Sequence, residues 1–163
     1  MRAARILKWL LIAAVAIAAL ALGVRSYRAL SGPPLRPWHT FVPQELRADE
    51  LDASDWSRYL AQEQTIFESL RANVSQRLDP DARAPYNRYF EQSPVYPGNF
   101  KQDWNRSYVL EPDGKPAGAV VLLHGLTDSP YSLRHVARRY RDRGFVAIGL
   151  RMPGHGTVPA GLT

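Results

Sequence analysis

The longest apolar stretch of the chain lies near its N-terminus. Residues 9–24, WLLIAAVAIAALALGV, contain no charged side chain. Leu7 extends the stretch past Lys8 to about 18 residues, close to the shortest helix that crosses about 30 Å of hydrocarbon. The pattern predicts a membrane anchor over residues 1–30, with a cleaved signal peptide as the alternative. The anchor is favoured because the apolar stretch exceeds what a signal peptide needs and the best cleavage site, residues 19–21, lies inside it.

The two segments that follow differ in composition. Residues 31–43 carry four prolines and residues 44–53 are acidic and polar, so residues 31–53 are predicted to form an extended linker. Residues 54–104 are predicted to form a helical and irregular extension. Its helix should span about 55–78, with Ser54 as the N-cap, because apolar side chains recur there every three to four residues. Residues 80–104 contain aromatic side chains without a period, which predicts irregular structure lying over a core.

One face of this predicted helix is apolar apart from Glu63. Packing of the face on the following domain is the simplest interpretation. A coiled-coil dimer is the alternative, but it would rest on about three heptads with Glu63 at a seam position.

The last part of the chain, residues 105–163, alternates between strand and helix patterns. A short strand is predicted at 107–111 and a buried strand at 119–123. A helix is predicted to follow, with Ser129 as its N-cap, Pro130 at its first position and Gly144 at its end. Residues 145–150 form a second predicted buried strand. Two strands joined by a helix are expected to be parallel neighbours, so the predicted fold class is α/β.

The charge distribution argues for a membrane rather than for nucleic acid. The chain has 163 residues, no cysteine and a formal net charge of +6. Residues 1–36 hold six basic residues and no acidic one, whereas residues 37–163 are neutral. A nucleic-acid-binding protein would carry its excess charge on the folded domain. Three basic residues and the α-amino group precede the apolar stretch, and three basic residues follow it by position 36. This narrow excess favours a cytoplasmic N-terminus and a domain in the periplasm, with a bacterial inner membrane as the expected location.

Two motifs in the last third of the chain resemble the α/β-hydrolase family, in its lipase, carboxylesterase and monoacylglycerol-lipase-like branch. LLHGLTDSPYS at 122–132 is similar to the family's oxyanion loop after its third strand, and LRMPGHG at 150–156 is similar to the loop after its fourth. The resemblance covers residues 105–163. It implies the start of a doubly wound sheet, and hydrolysis of an acyl ester by a serine through an acyl-enzyme, without metal or organic cofactor.

The resemblance assigns one residue to the oxyanion hole. In this family one donor follows the nucleophile and the other comes from the loop after the third strand, which here implies the backbone N–H of Leu126. His124 and His155 are not predicted to bind a metal ion together, because no carboxylate stands at a spacing that would complete such a site. The residues expected to shape the two loops, by local hydrogen bonds or by a sharp turn and close approach of the backbone, are His124, Gly125, Gly154, His155 and Gly156.

No catalytic residue is expected within the sequence. The triad of this family runs in the order serine, acid, histidine, and no Gly-x-Ser-x-Gly occurs in the chain. Ser129 and Ser132 are interpreted as helix cap and first-turn residues, and the nucleophile, acid and histidine are expected beyond Thr163. The sequence is therefore interpreted as an N-terminal portion of a membrane-anchored serine hydrolase, truncated before its nucleophile and inactive by itself. The alternative is a non-catalytic, membrane-tethered interaction protein derived from a hydrolase.

Overall fold

The computed structural model describes residues 2–162. The chain divides into two compact units, Met1–Pro34 and Leu35–Thr163.

The first unit consists of a single long helix, α1 (Arg2–Leu30). Its apolar section, Arg5–Leu30, is long and apolar enough to cross a membrane, and none of it is buried within the chain. A signal sequence near an N-terminus has the same properties. The predicted apolar N-terminal helix is thus present, whichever of the two roles it serves.

The second unit begins with two short helices where an extended linker was predicted. These are α2 (Pro37–Thr40) and α3 (Ala48–Asp52). The ring of Trp38 stacks on that of Tyr89 with 5.5 Å between centroids, and Phe41 also packs on the core. The prediction missed this because proline content was read as a sign of an exposed spacer. Burying two large aromatic side chains instead holds the segment against the domain.

Helix α4 (Trp56–Asn73) is the helix predicted at about 55–78, with different ends. Its N-cap is Asp55, whose carboxylate accepts from the N–H of Arg58 at 2.8 Å. Ser54 lies one residue before this N-cap, and its hydroxyl donates to the carbonyl of Glu50. After Asn73 the chain tightens into a single 3-10 turn, Ser75–Arg77.

The first core lies between helix α4 and the irregular segment that follows it. This segment contains two single 3-10 turns, Pro80–Ala82 and Pro97–Asn99, and it covers apolar side chains as predicted. Packing of the apolar face of α4 on the rest of the domain is confirmed, because this core includes Val158 from the far end of the chain. The buried members are Leu70, Val74, Leu78, Ala82, Tyr89 and Val158.

The sheet has three strands within residues 2–162, in the order β1-β3-β2. They are β1 (Tyr108–Leu110), β2 (Gly118–Leu123) and β3 (Phe145–Leu150). Strands β2 and β3 are parallel, with Val120 opposite Ala147, as predicted. Strand β1 joins β3 antiparallel, with Tyr108 opposite Gly149. The chain is therefore a mixed helix and sheet protein, and a doubly wound sheet is not formed by the described residues.

The helix between the parallel strands starts later than predicted. Pro130–Leu133 form a 3-10 turn, and the α-helix, α5, covers Arg134–Arg141. Ser129 is the N-cap residue of this turn, but its side chain accepts no cap hydrogen bond. Its hydroxyl donates to Oδ1 of Asn105 at 3.1 Å. The carboxylate of Asp128 accepts from the Ser129 N–H at 2.7 Å instead. Hydrogen bonds from Ser132 and then from that N–H lower the pKa of Asp128.

Helix α5 covers one face of the sheet and leaves the other face open. On the covered face Ala137 and Ala147 are fully buried and Tyr108 nearly so. On the open face the side chains of Val121 and Leu123 remain 56% and 60% exposed. The edge of β2 that does not face β3 also has no strand partner among residues 2–162. Exposed apolar side chains on a sheet face beside an open edge are typical of a surface that another element covers.

Candidate functional site

The two loops that carry the family resemblance lie side by side. They follow β2 and β3, and because these strands are parallel their carboxyl ends meet at the same edge of the sheet. The ring centroids of His124 and His155 are 4.9 Å apart. The structure thus brings residues 124–126 and 151–156 together into one loop pair.

His124 connects the two loops through its ring. Its Nε2 accepts from the backbone N–H of Met152 at 3.2 Å, so the ring proton is carried by Nδ1 when the imidazole is neutral. Nδ1 then donates to the carbonyl of Gly125 at 3.0 Å. Both ring nitrogens are occupied by the backbone and the side chain is buried, an arrangement suited to positioning the loops.

His155 lies in the second loop, and its ring reaches a carbonyl group of the first loop. Its Nε2 lies 2.7 Å from the carbonyl oxygen of Leu126, and its Nδ1 lies 2.8 Å from that of Pro153. A neutral imidazole has one N–H and can donate to only one of these acceptors, whereas an imidazolium donates to both. With a proton on Nε2, the ring donates to the carbonyl of Leu126 and ties the 124–126 loop to the second loop.

In the loop after β2 the carbonyl groups of Gly125 and Leu126 have hydrogen-bond partners, whereas the N–H of Leu126 has none among the described residues. The carbonyl of Gly125 also accepts from the N–H of Asp128 at 3.1 Å, which closes a turn. The N–H of Leu126 donates to no atom of residues 2–162, and this residue is 82% exposed. A backbone donor in an otherwise fixed loop is what stabilisation of a developing oxyanion requires.

Gly154 and Gly156 are required by the backbone. Their φ angles of 79° and 73° lie in the left-handed region that other residues avoid. A Cβ atom on Gly154 would lie 2.3 Å from the carbonyl oxygen of Gly161, and one on Gly156 would lie 2.7 Å from that of Asn105. The two glycines therefore let the second loop pack closely against neighbouring backbone.

Gly125, by contrast, is not required by the backbone of the described residues. Gly125 does not have a positive φ, and a Cβ atom there would meet no atom within 4 Å. Neither a sharp turn nor a close approach within the chain calls for glycine at this position. The space that a side chain would occupy at this position is open.

Sequence reasoning missed the side chain that anchors the second loop. Arg151, the first residue after β3, is 1% exposed. Its Nε donates to Glu63 of helix α4 at 2.9 Å. Its Nη1 and Nη2 each donate to one carboxylate oxygen of Glu45 at 2.8 Å. This arginine and its two glutamates form the Arg151 cluster.

Backbone groups complete the Arg151 cluster. The carboxylate of Glu63 also accepts from the N–H and hydroxyl of Ser107, at the start of β1. The carboxylate of Glu45 accepts from the N–H of Gly154 at 2.8 Å. Burial by itself would lower the pKa of Arg151, but the hydrogen bond and charge of Glu45 outweigh it and the net effect raises that pKa. One sign of the cluster was present in the sequence, as Glu63 interrupts the apolar face of α4.

Tyr59 extends the cluster towards the protein surface. Its hydroxyl donates to the carbonyl oxygen of Arg151. Burial raises the pKa of Tyr59, and the positive charge of Arg151 opposes the increase. The phenol therefore stays neutral and serves as a donor.

The remaining sequence candidates lie apart from this chemistry. Ser132 donates its hydroxyl to the carbonyl of Ser129, and neither serine shares a hydrogen bond with His124 or His155 in the described part of the chain. Between residues 2 and 162, no group of three or more His, Cys, Asp or Glu side chains is placed to hold a metal ion.

No protein-family model, curated protein sequence or solved structure matches the chain. What the structure defines is a mixed helix and sheet domain, preceded by one helix apolar and long enough for a membrane span or signal sequence.

Proposed function

We propose that the chain is the N-terminal portion of a membrane-anchored serine hydrolase that cleaves carboxylic esters through an acyl-enzyme. In this proposal α1 is the anchor and residues 105–163 begin an α/β-hydrolase sheet. The nucleophile, its acid and its histidine come from outside residues 1–163, and this stretch alone is inactive. The observation that carries the proposal is the N–H of Leu126, which has no partner among the described residues, in a loop where the carbonyl groups of Gly125 and Leu126 are already bonded.

The sheet supports the proposal in a second way. An antiparallel strand at the edge of an otherwise parallel sheet is common in doubly wound folds. The open edge of β2 and the exposed side chains of Val121 and Leu123 would accept further strands and helices. The two loops at the carboxyl ends of the strands occupy the place where open α/β sheets bind their ligands.

The test begins with the natural gene product, isolated from its own membrane fraction. Its intact mass is measured before and after treatment with a fluorophosphonate, which labels an activated serine covalently. We expect a mass well above 18.3 kDa and a single adduct. A product of 18.3 kDa that takes no adduct would refute the enzyme proposal and favour a non-catalytic, membrane-tethered interaction protein.

A variant pair tests the assigned loop in that natural product. Leu126→Pro removes the free N–H, and we expect kcat for p-nitrophenyl acetate to fall about 100-fold to 1000-fold. Leu126→Ala keeps the N–H and removes only an exposed side chain, so it should retain activity. Leu126→Pro with the activity of Leu126→Ala would rule out the assigned oxyanion donor.

A further inference from the structure

A groove separate from the loop pair lies between residues 95–105 and one side of helix α5. Its volume is about 880 Å³, within the range of small-molecule sites. No residue of 124–126 or 151–156 lines it. Its apolar lining consists of Val95, Pro97, Phe100, Trp104 and Leu110.

The rest of the groove lining is strongly basic. Arg134, Arg138 and Arg141 are spaced four and three residues apart on α5, and all three line the groove. Arg88 and Lys101 line it from the preceding segment. Like charges at this spacing destabilise a helix by themselves. The C-terminal end of the helix favours Arg138 and Arg141, which lie in its last turn, but it does not account for Arg134 at the other end of the same side.

Most of this positive charge has no anionic partner inside the chain. Among residues 2–162, no ion pair links Arg88, Lys101, Arg134 or Arg138 to a carboxylate. The acidic lining residue, Asp103, lies 3.6 Å from Arg106 and accepts from Asn105. The groove consequently offers several cations to an anion from outside.

Two of the arginines are held in place by aromatic rings. The guanidinium of Arg134 lies 3.6 Å from the centroid of Tyr131, and that of Arg138 lies 4.9 Å from the centroid of Trp104. A guanidinium held over a ring keeps N–H groups at its edge for a planar or tetrahedral oxyanion. Arginine in such a position binds phosphate through paired, charge-assisted hydrogen bonds.

We propose that this groove binds the phosphate-bearing headgroup of an anionic lipid. Arg134 and Arg138 bind the phosphate, and Phe100 and Trp104 contact the apolar part of the same molecule. The apolar lining favours a lipid over free phosphate, as does the preference of tryptophan for membrane interfaces. Helix α1 is long and apolar enough to be a membrane anchor. An anchor of this kind keeps the chain at a membrane surface, where anionic headgroups attract clusters of basic residues. This site is independent of the hydrolase proposal.

The experiment uses the full chain in nonionic detergent micelles that contain equal amounts of phosphatidylglycerol and phosphatidylcholine. Native mass spectrometry then counts the lipids that stay bound. We expect phosphatidylglycerol adducts to exceed phosphatidylcholine adducts at least about fivefold. Arg134→Gln combined with Arg138→Gln should remove most of that excess. The matched control, Arg139→Gln with Arg143→Gln, alters the same number of charges on residues that are exposed and do not line the groove, and should keep it.

Two outcomes would overturn the proposal. One is equal phosphatidylglycerol binding by the two double variants, which would assign any excess to other basic residues such as Arg25 and Arg28. The other is inorganic phosphate binding to the unaltered chain as tightly as the lipid, which would identify a plain phosphate site.

The unaltered chain also gives a test that needs no variant. Raising ammonium acetate from about 50 to 500 mM should remove the preference for phosphatidylglycerol, and a preference unaffected by salt would contradict the arginine contacts.

Discussion

Replacing Arg151 tests whether the buried charge cluster holds the second unit together. The substitution Arg151→Met keeps much of the side-chain volume and removes the guanidinium. It deletes the hydrogen bonds to Glu63 and Glu45 and the bond from Nη1 to the carbonyl of His155. Glu63, which is 3% exposed, keeps only the two donors of Ser107.

The expected cost follows from the charge left behind. Removing one partner of a buried ion pair costs about 3–5 kcal/mol, because the other charge stays buried without compensation. The raised pKa of Arg151 means that its guanidinium stays charged at any ordinary pH. Because domains of this size are stable by only about 5–15 kcal/mol, the variant should lose about a fifth or more of its unfolding free energy.

The assay is a urea titration of the full chain in nonionic detergent, followed by tryptophan fluorescence. The control is Arg141→Gln, which breaks an ion pair with Asp142 whose side chains are 41% and 60% exposed. Exposed pairs contribute about 0–1 kcal/mol, so the control should unfold close to the unaltered chain. If Arg151→Met costs no more than Arg141→Gln, the cluster does not stabilise the fold and the reasoning is refuted.

Two further predictions concern the second loop and the sheet. Gly154→Ala should cost about 2 kcal/mol or more in unfolding free energy, because it combines a left-handed φ with a close carbonyl oxygen. Gly125→Ala, where a Cβ meets nothing, should cost less than about 1 kcal/mol, and equal losses in urea titrations would contradict the geometry. Burial raises the pKa of Tyr108 to about 12, whereas an unfolded tyrosine ionises near pH 10. The folded chain then keeps a proton that the unfolded chain loses, so stability should be level below about pH 10 and fall as the pH rises to about 12. Tyr108→Phe should make that fall shallower in pH-dependent urea titrations, and an unchanged fall would argue against a buried Tyr108 phenol.

Elements that depend on local pattern could be predicted from the sequence. Helix α1 follows from an uninterrupted apolar run, and strands β2 and β3 follow from short buried runs joined by a helix. Their parallel pairing also follows, because a strand, helix and strand in succession have few other arrangements. The two loops of the candidate site could be placed side by side for the same reason.

Features that depend on distant residues needed the tertiary structure. Glu45 and Glu63 precede Arg151 by 106 and 88 residues, and no spacing rule connects them. The antiparallel pairing of β1 and the packing of Trp38 on Tyr89 are equally non-local. Ser54 and Ser129 look like side-chain helix caps in the sequence, but Asp55 caps α4 and the Ser129 side chain makes no cap hydrogen bond. Local propensities are worth about 1 kcal/mol or less for each residue, so burial of an aromatic ring or pairing of a buried charge overrides them.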